Sequence, residues 1–118
     1  MPGFVPGQIV LVDWRDALPK EPNKLRPAVV VEDTELFGPL YHNLILVPLS
    51  EDAKLAAPAL RVTFDPTAEN GCSKRCYALS PYVTATSKRR VTATQSRILP
   101  EQLAAIRRQI ACAIGIED

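Results

Sequence analysis

The sequence predicts a β-rich α+β fold: a run of short strands bent into a small sheet or barrel, finished by one C-terminal helix. Three observations carry this. Short Val/Ile-rich or alternating runs recur from residue 8 to residue 94, each bounded by Pro, Gly or Asn. Eleven prolines against five glycines imply stiff connections between small elements. Beyond residue 99 the apolar spacing changes to that of a helix. A chain of 118 residues, 47% hydrophobic and 23% charged, has the size of one domain over 1–118 and enough apolar material for a core.

Gln8 to Trp14 follows Pro6-Gly7 and is rich in β-branched residues, so it predicts the first strand. Residues 15–25 read as a polar loop with Pro19 and Pro22. Ala28-Val29-Val30-Val31 lacks polar alternation and predicts a central strand. Glu32 to Asn43, with Gly38-Pro39, is a connection. Leu44 to Leu49 is a third strand, with Pro48 at its end or on an edge. Ala59 to Phe64 alternates as a half-exposed fourth, and Asp65 to Gly71 turns. Cys76–Leu79 and Tyr82–Ala85 are short strands parted by Pro81, and Arg90–Thr94 is the last. Leu103, Ile106, Ile110 and Ile114 then form one helical stripe. Pro100 fits its first turn, Glu101 its positive end, and Gly115 the position just past its C-cap.

Several classes of protein are disfavoured. No apolar run approaches the length of a membrane helix, and Met1 to Gly7 has neither the basic nor the apolar region of a signal peptide. Three cysteines, an odd number, point to reduced thiols and a cytoplasmic location. Cys72 and Cys76 are spaced CxxxC, but zinc would need two further ligands, and one His with Cys112 is a poor supply. No metal or cofactor is therefore expected. Lys74 and Arg75 can lower a thiol pKa, which leaves a redox role open without supporting it.

The charge is uneven. Residues 71–108 hold eight Lys/Arg and one acid, within a chain of net charge +1. Such a segment can face nucleic acid or an acidic protein, or folding can scatter it over the surface. Arg26 stands where a charged, Pro-bounded loop enters the Val strand. A guanidinium fork on a rigid scaffold suits phosphate, and a solvated loop Arg is the plain alternative. Trp14 and Tyr82 can stack on bases, although a Trp near the end of a first strand is more often a core or dimer contact. His42, the one His, reads as a surface residue, and Lys88-Arg89-Arg90 as a phosphate-tracking or partner-facing turn.

Taken in order, Gly7-x-Ile9-Val10-x-Val12, Glu21-x-x-Lys24-x-Arg26-Pro27-x-Val29-Val30-Val31, Val47-Pro48-Leu49-Ser50, the basic segment, Leu99-x-x-x-Leu103 and Ile114-Gly115-Ile116 resemble the MazF/PemK toxin family. The resemblance implies an SH3-like β-barrel with a C-terminal helix, assembled as a homodimer. It implies a metal-independent, sequence-selective endoribonuclease of a type II toxin–antitoxin system. Such an enzyme cuts single-stranded RNA by attack of the 2′-OH, and its cognate antitoxin covers the RNA site. Matched residue by residue, the family's Arg is Arg26 and its strand-end hydroxyl is Ser50, which together form the catalytic pair. Glu21, Lys24, Thr84, Lys88 and Arg89 are the expected RNA contacts.

The pattern also departs from better-known members. Where some carry a His before the loop Glu this chain has Lys20, and where some carry an Arg and an Asp on a later strand it has Ala78 and Ser80. The acid and the base are thus unassigned. A same-fold toxin acting on a protein such as gyrase, and an RNA-binding module without catalysis, remain as alternatives.

Overall fold

The protein is described from a computed structural model, which covers residues 3–14 and 25–116. Among the described residues, seven strands and one α-helix follow in order: β1 (Gln8–Asp13), β2 (Leu25–Val30), β3 (Asn43–Ser50), β4 (Arg61–Phe64), β5 (Cys76–Leu79), β6 (Thr84–Ser87), β7 (Val91–Arg97) and α1 (Pro100–Ala113). All strand pairs are antiparallel. The hydrogen-bonded path runs β4-β5-β3-β2-β1-β7, with β6 joined to β3.

β1, β2 and β3 are buried on both faces, which explains why Ala28–Val31 lacks polar alternation. One face holds Ile9, Val29, Val47, Leu49, Phe64 and Ala78 under Ile106 of the helix. The other gathers Val10, Val12, Ala28, Val30, Leu44 and Leu46, with Phe4, Trp14 and Val91 packed against it.

The path does not close into a barrel, because β4 and β7 end it without pairing to each other. A loop spans this gap instead. The Arg97 N–H donates to the Glu69 carbonyl at 2.9 Å, and Gly71, at φ +65°, passes so close to β7 that a Cβ there would lie 2.5 Å from Ser96 Oγ. Asn70 shapes this loop from within. Its side-chain oxygen accepts from the N–H groups of Thr67 and Cys72, and its amide donates to the Asp65 carbonyl.

The two prolines expected to limit strands lie inside them. β2 begins at Leu25, so Arg26 is a strand residue and not the last residue of a loop. Pairing of β2 with β3 starts only at Ala28↔Pro48, which leaves room beside Pro27 for a nitrogen with no hydrogen to give. Pro48 is where β3 changes partners. Its first part pairs with β6 and β2, and Leu49 and Ser50 pair with Ala78 and Tyr77 of β5. Short 3-10 turns replace the expected strand ends at Pro58–Leu60, Ser80–Tyr82 and Lys88–Arg90. β7 runs on to Arg97, three residues beyond the expected end.

The helix follows its sequence signals. Pro100 opens it, the Gln102 side chain accepts the Leu99 N–H at 2.8 Å, and Ile106 is fully buried. At its end Gly115 adopts φ +84°, its N–H reaches the Cys112 carbonyl, and the Ile116 N–H reaches the Ala111 carbonyl. This is the paired bonding of a Schellman cap, which needs a left-handed residue at that position. Ile114 caps the helix and is exposed, so the buried stripe ends at Ile110. Gln109 and Arg107 pin the helix to the sheet. Gln109 accepts from Ser80 Oγ and donates to the Arg61 carbonyl, while Arg107 donates to the carbonyls of Val31 and Glu32.

Candidate functional site

The change of partner at Pro48 makes the site. Continued two residues past Ala28↔Pro48, the β2/β3 register would set Arg26 opposite Ser50. At that point β3 has turned to β5, so the two stretches part and a groove opens between them. The groove has a volume of about 950 Å³, and Arg26, Ser50, Thr84, Trp14, Tyr82 and Lys74 are among its lining residues.

Arg26 is half-buried, and its Nε is shut off from water. Its Cα lies opposite Val12 in the centre of the sheet, so the backbone that carries it is fixed on the β1 side. A cation held this way interacts more strongly with an incoming anion than one on a solvated loop. Ser50 Oγ accepts the Asp52 N–H at 3.0 Å. That bond occupies a lone pair and leaves the O–H as the group to offer a ligand.

The turn that follows Ser50 is braced from β4. Arg61 donates two hydrogen bonds of 2.8 Å to the carbonyls of Ala53 and Ala56, and its guanidinium lies 5.2 Å from the ring centre of Tyr77, the residue paired with Ser50. Asp52 caps the same turn by accepting the Lys54 N–H. Arg61 was not a candidate on sequence grounds, because an alternating strand gives no sign that one of its cations reaches back to carbonyls.

The expected RNA contacts divide. Thr84 lines the groove. Glu21 and Lys24 lie outside the described residues. Lys88 and Arg89 sit in the 3-10 turn before β7; the Lys88 N–H donates to the His42 carbonyl, and Lys88 lines a separate pocket of about 190 Å³. The basic segment is therefore no single face. Lys74 is at the groove, Arg75 pairs with Asp65 at 2.7 Å on the surface, and Arg107 is committed to backbone carbonyls. The Asp65 carboxylate, first by hydrogen bond and then by charge, raises the Arg75 pKa further.

Trp14 packs on the second core and also lines the groove, and Tyr82, about half exposed, lines it as well. His42 stays on the β2–β3 connection, stacked on Tyr41 at 5.2 Å. Ala78 is buried in the core, and the Ser80 hydroxyl is given to Gln109, so neither supplies an acid or a base. Among the described residues, the carboxylates that line the groove are Glu51 and Asp52, immediately after Ser50. Sequence reading had passed over them because nothing marked that turn as part of the site.

A bent antiparallel sheet with one C-terminal helix and a groove between splayed strands, lined by a cation and a hydroxyl, defines a class of small β-rich domains. The profile of the PemK-like, MazF-like toxins of type II toxin–antitoxin systems matches residues 5–114, and the chain belongs to that family. Solved structures agree on the fold. An endoribonuclease from a mycobacterial species superposes with a TM-score of 0.73 at 15% identity, covering 98% of this chain and 95% of its own. MazF from Deinococcus radiodurans gives 0.71 at 19% identity, over 98% and 99%. A mycobacterial endoribonuclease in complex with its cognate antitoxin gives 0.72 at 14%, over 100% and 99%. No curated protein sequence matches the chain.

Proposed function

We propose that this toxin is a sequence-selective endoribonuclease that cuts single-stranded RNA in the cytoplasm without a metal, as a homodimer held in check by a cognate antitoxin. The observation that carries the reading is the convergence of Arg26, the Ser50 hydroxyl and Lys74 on one groove that also presents Trp14 and Tyr82. The groove thus combines two cations with two aromatic faces, the combination used to bind unpaired nucleotides.

In this reading the ribose 2′-oxygen attacks the adjacent phosphorus, and the bond to the departing 5′-oxygen breaks. A 2′,3′-cyclic phosphate and a 5′-OH end result. Negative charge grows on the non-bridging oxygens during the attack. The Arg26 fork and the Ser50 O–H are placed to receive that charge, which is the task a metal ion performs in other nucleases. A guanidinium offers donors and no acceptor, so the 2′-proton must go to another group. Glu51 and Asp52 are the carboxylates at hand for it. The antitoxin acts by covering this groove, and Lys74 offers an acidic segment its first charge contact.

The test is single-turnover cleavage of a labelled RNA by purified protein in excess EDTA. Wild type is expected to cut and to leave cyclic-phosphate ends. Arg26→Ala should lose about a hundred- to a thousandfold in rate while keeping its melting curve. Arg26→Lys should recover little, since a point charge lacks the planar two-donor fork. An Arg26→Ala protein that cuts like wild type refutes the assignment, and wild type that cuts only with a metal refutes the mechanism.

A further inference from the structure

The groove contains a second chemical group that RNA cleavage does not use. Cys72 and Cys76 both line it, and their sulfur atoms are 3.5 Å apart. Neither is in a disulfide. The two positions are held by different means. Cys76 is buried at the start of β5, opposite Phe64. Cys72 belongs to the loop that Asn70 shapes, its N–H bonded to Asn70 Oδ1 at 2.9 Å, and it is partly exposed. A disulfide needs its sulfurs about 2.05 Å apart. The loop must therefore give by roughly 1.5 Å, as the difference between 3.5 Å and that bond length.

We propose that Cys72 and Cys76 form a reversible disulfide on reaction with a hydroperoxide, and that this bridge closes down the groove. The two thiols have unequal roles. Burial, then the hydrogen bond and charge of Cys72, then the charge of Glu51, push the Cys76 thiol up to about 12, so it is slow to react alone. The partly exposed Cys72 takes the oxidant. Its sulfur attacks the peroxide O–O bond, giving Cys72 sulfenic acid and releasing the alcohol or water. The Cys76 sulfur then attacks the Cys72 sulfur, and the S–OH oxygen leaves with a proton as a second water. Two thiols are oxidised and one peroxide is reduced. Oxidation of Cys72 also removes its own share of what holds the Cys76 proton. Reduction by a dithiol reverses the bridge.

The consequence for the groove follows from what lies between the cysteines. Ser73, Lys74 and Arg75 fill the interval, and Ser73 and Lys74 line the groove. Drawing Cys72 onto β5 shortens that segment and moves the Lys74 ammonium. The bridge itself does not depend on the ribonuclease reading, whereas its effect on cleavage rests on it.

Peptide mapping reads the bridge directly. Trypsin cuts after Lys74 and Arg75, so it places Cys72 and Cys76 on separate peptides that only a disulfide joins. Treatment with hydrogen peroxide should yield that joined pair and the loss of two hydrogens from the intact mass. Dithiothreitol should reverse both. The pair should persist in Cys112→Ser and vanish in Cys72→Ser and Cys76→Ser. The ratio of oxidised to reduced cleavage rate should fall about tenfold in wild type, the scale of a displaced positioning group, and stay near one in Cys72→Ser. Separate sulfinic and sulfonic acids, or bridges only between molecules through Cys112, overturn the proposal. So does a mapped bridge that leaves the wild-type ratio at one. Reduced protein that cuts no RNA refutes the ribonuclease reading instead, and the peptide map then judges the bridge alone.

Discussion

Ser50 separates catalysis from stability more cleanly than any other residue of the groove. The perturbation is Ser50→Ala. The structure assigns the side chain one hydrogen bond, from the Asp52 N–H at 3.0 Å, in an exposed stretch where water can take over. Losing a bond of this kind costs about 0.5–1.5 kcal/mol at most. The melting temperature should fall by roughly 4 °C per kcal/mol for a domain of this size. Catalysis is expected to suffer much more. If the Ser50 O–H donates to the phosphoryl oxygen as charge develops, its removal costs about 2.7–4 kcal/mol of the barrier, or a hundred- to a thousandfold in rate. The kinetic loss should thus exceed the stability loss by more than about 1 kcal/mol, roughly a fivefold margin. Single-turnover cleavage in EDTA beside thermal melting measures both. Ser50→Thr keeps the hydroxyl and should stay within a few-fold of wild type. A Ser50→Ala protein within threefold of wild type would show that the hydroxyl only holds the turn. A rate loss matched by unfolding would refute the reasoning equally.

Three further outcomes are expected. Gly71→Ala forces a side chain into a left-handed backbone and against Ser96 Oγ, so it should lower stability by about 1–2 kcal/mol from the backbone alone, with the clash in addition. Adding Ser96→Ala should return the clash and leave the backbone cost, as chemical denaturation of the single and double variants will show. Arg61→Met removes both bonds to the turn after Ser50, each worth about 1.5–3 kcal/mol as a charged donor. It should reduce kcat with KM little changed, and a proportional rise in KM would mean that Arg61 touches RNA instead. Sedimentation at micromolar concentration should find a homodimer, since Ile114 and Ile116 at the helix end and Leu36 and Leu40 on the β2–β3 connection remain exposed; a monomer alone would count against it.

Much of the fold was legible because it depends on local pattern. The first strand, the Cys76–Leu79 strand, the helix and its Gly115 cap all stand where composition and spacing placed them. Pro27 and Pro48 misled for a shared reason. A proline stops a strand only where its missing N–H would have been needed; β2 has no β3 partner before Ala28, and at Pro48 β3 passes from β2 and β6 to β5. That depends on neighbours far away in the chain, which spacing does not encode. The connection from Asp65 to Cys72 was legible as a turn. Its shape was not, because it rests on the buried Asn70 amide and on Gly71 meeting β7.

The same distinction explains the site. Arg26 and Ser50 were paired through the family resemblance, and the β2/β3 register continued past Ala28↔Pro48 sets them on facing stretches. Lys88 and Arg89 were grouped with them on charge alone. Charge says nothing about direction; the 3-10 turn that carries them is bonded to the β2–β3 connection through the Lys88 N–H, and neither residue lines the groove. The gap left by Ala78 and Ser80 yields to the same logic. Both side chains are spent on packing and on the helix, so the proposed reaction draws its proton transfer from other groups of the groove. Glu51 and Asp52 enter it because β3 turns away at Pro48 and carries the residues after Ser50 to the rim. The bend that parts Arg26 from Ser50 therefore also brings to the groove the two carboxylates proposed to take the 2′-proton.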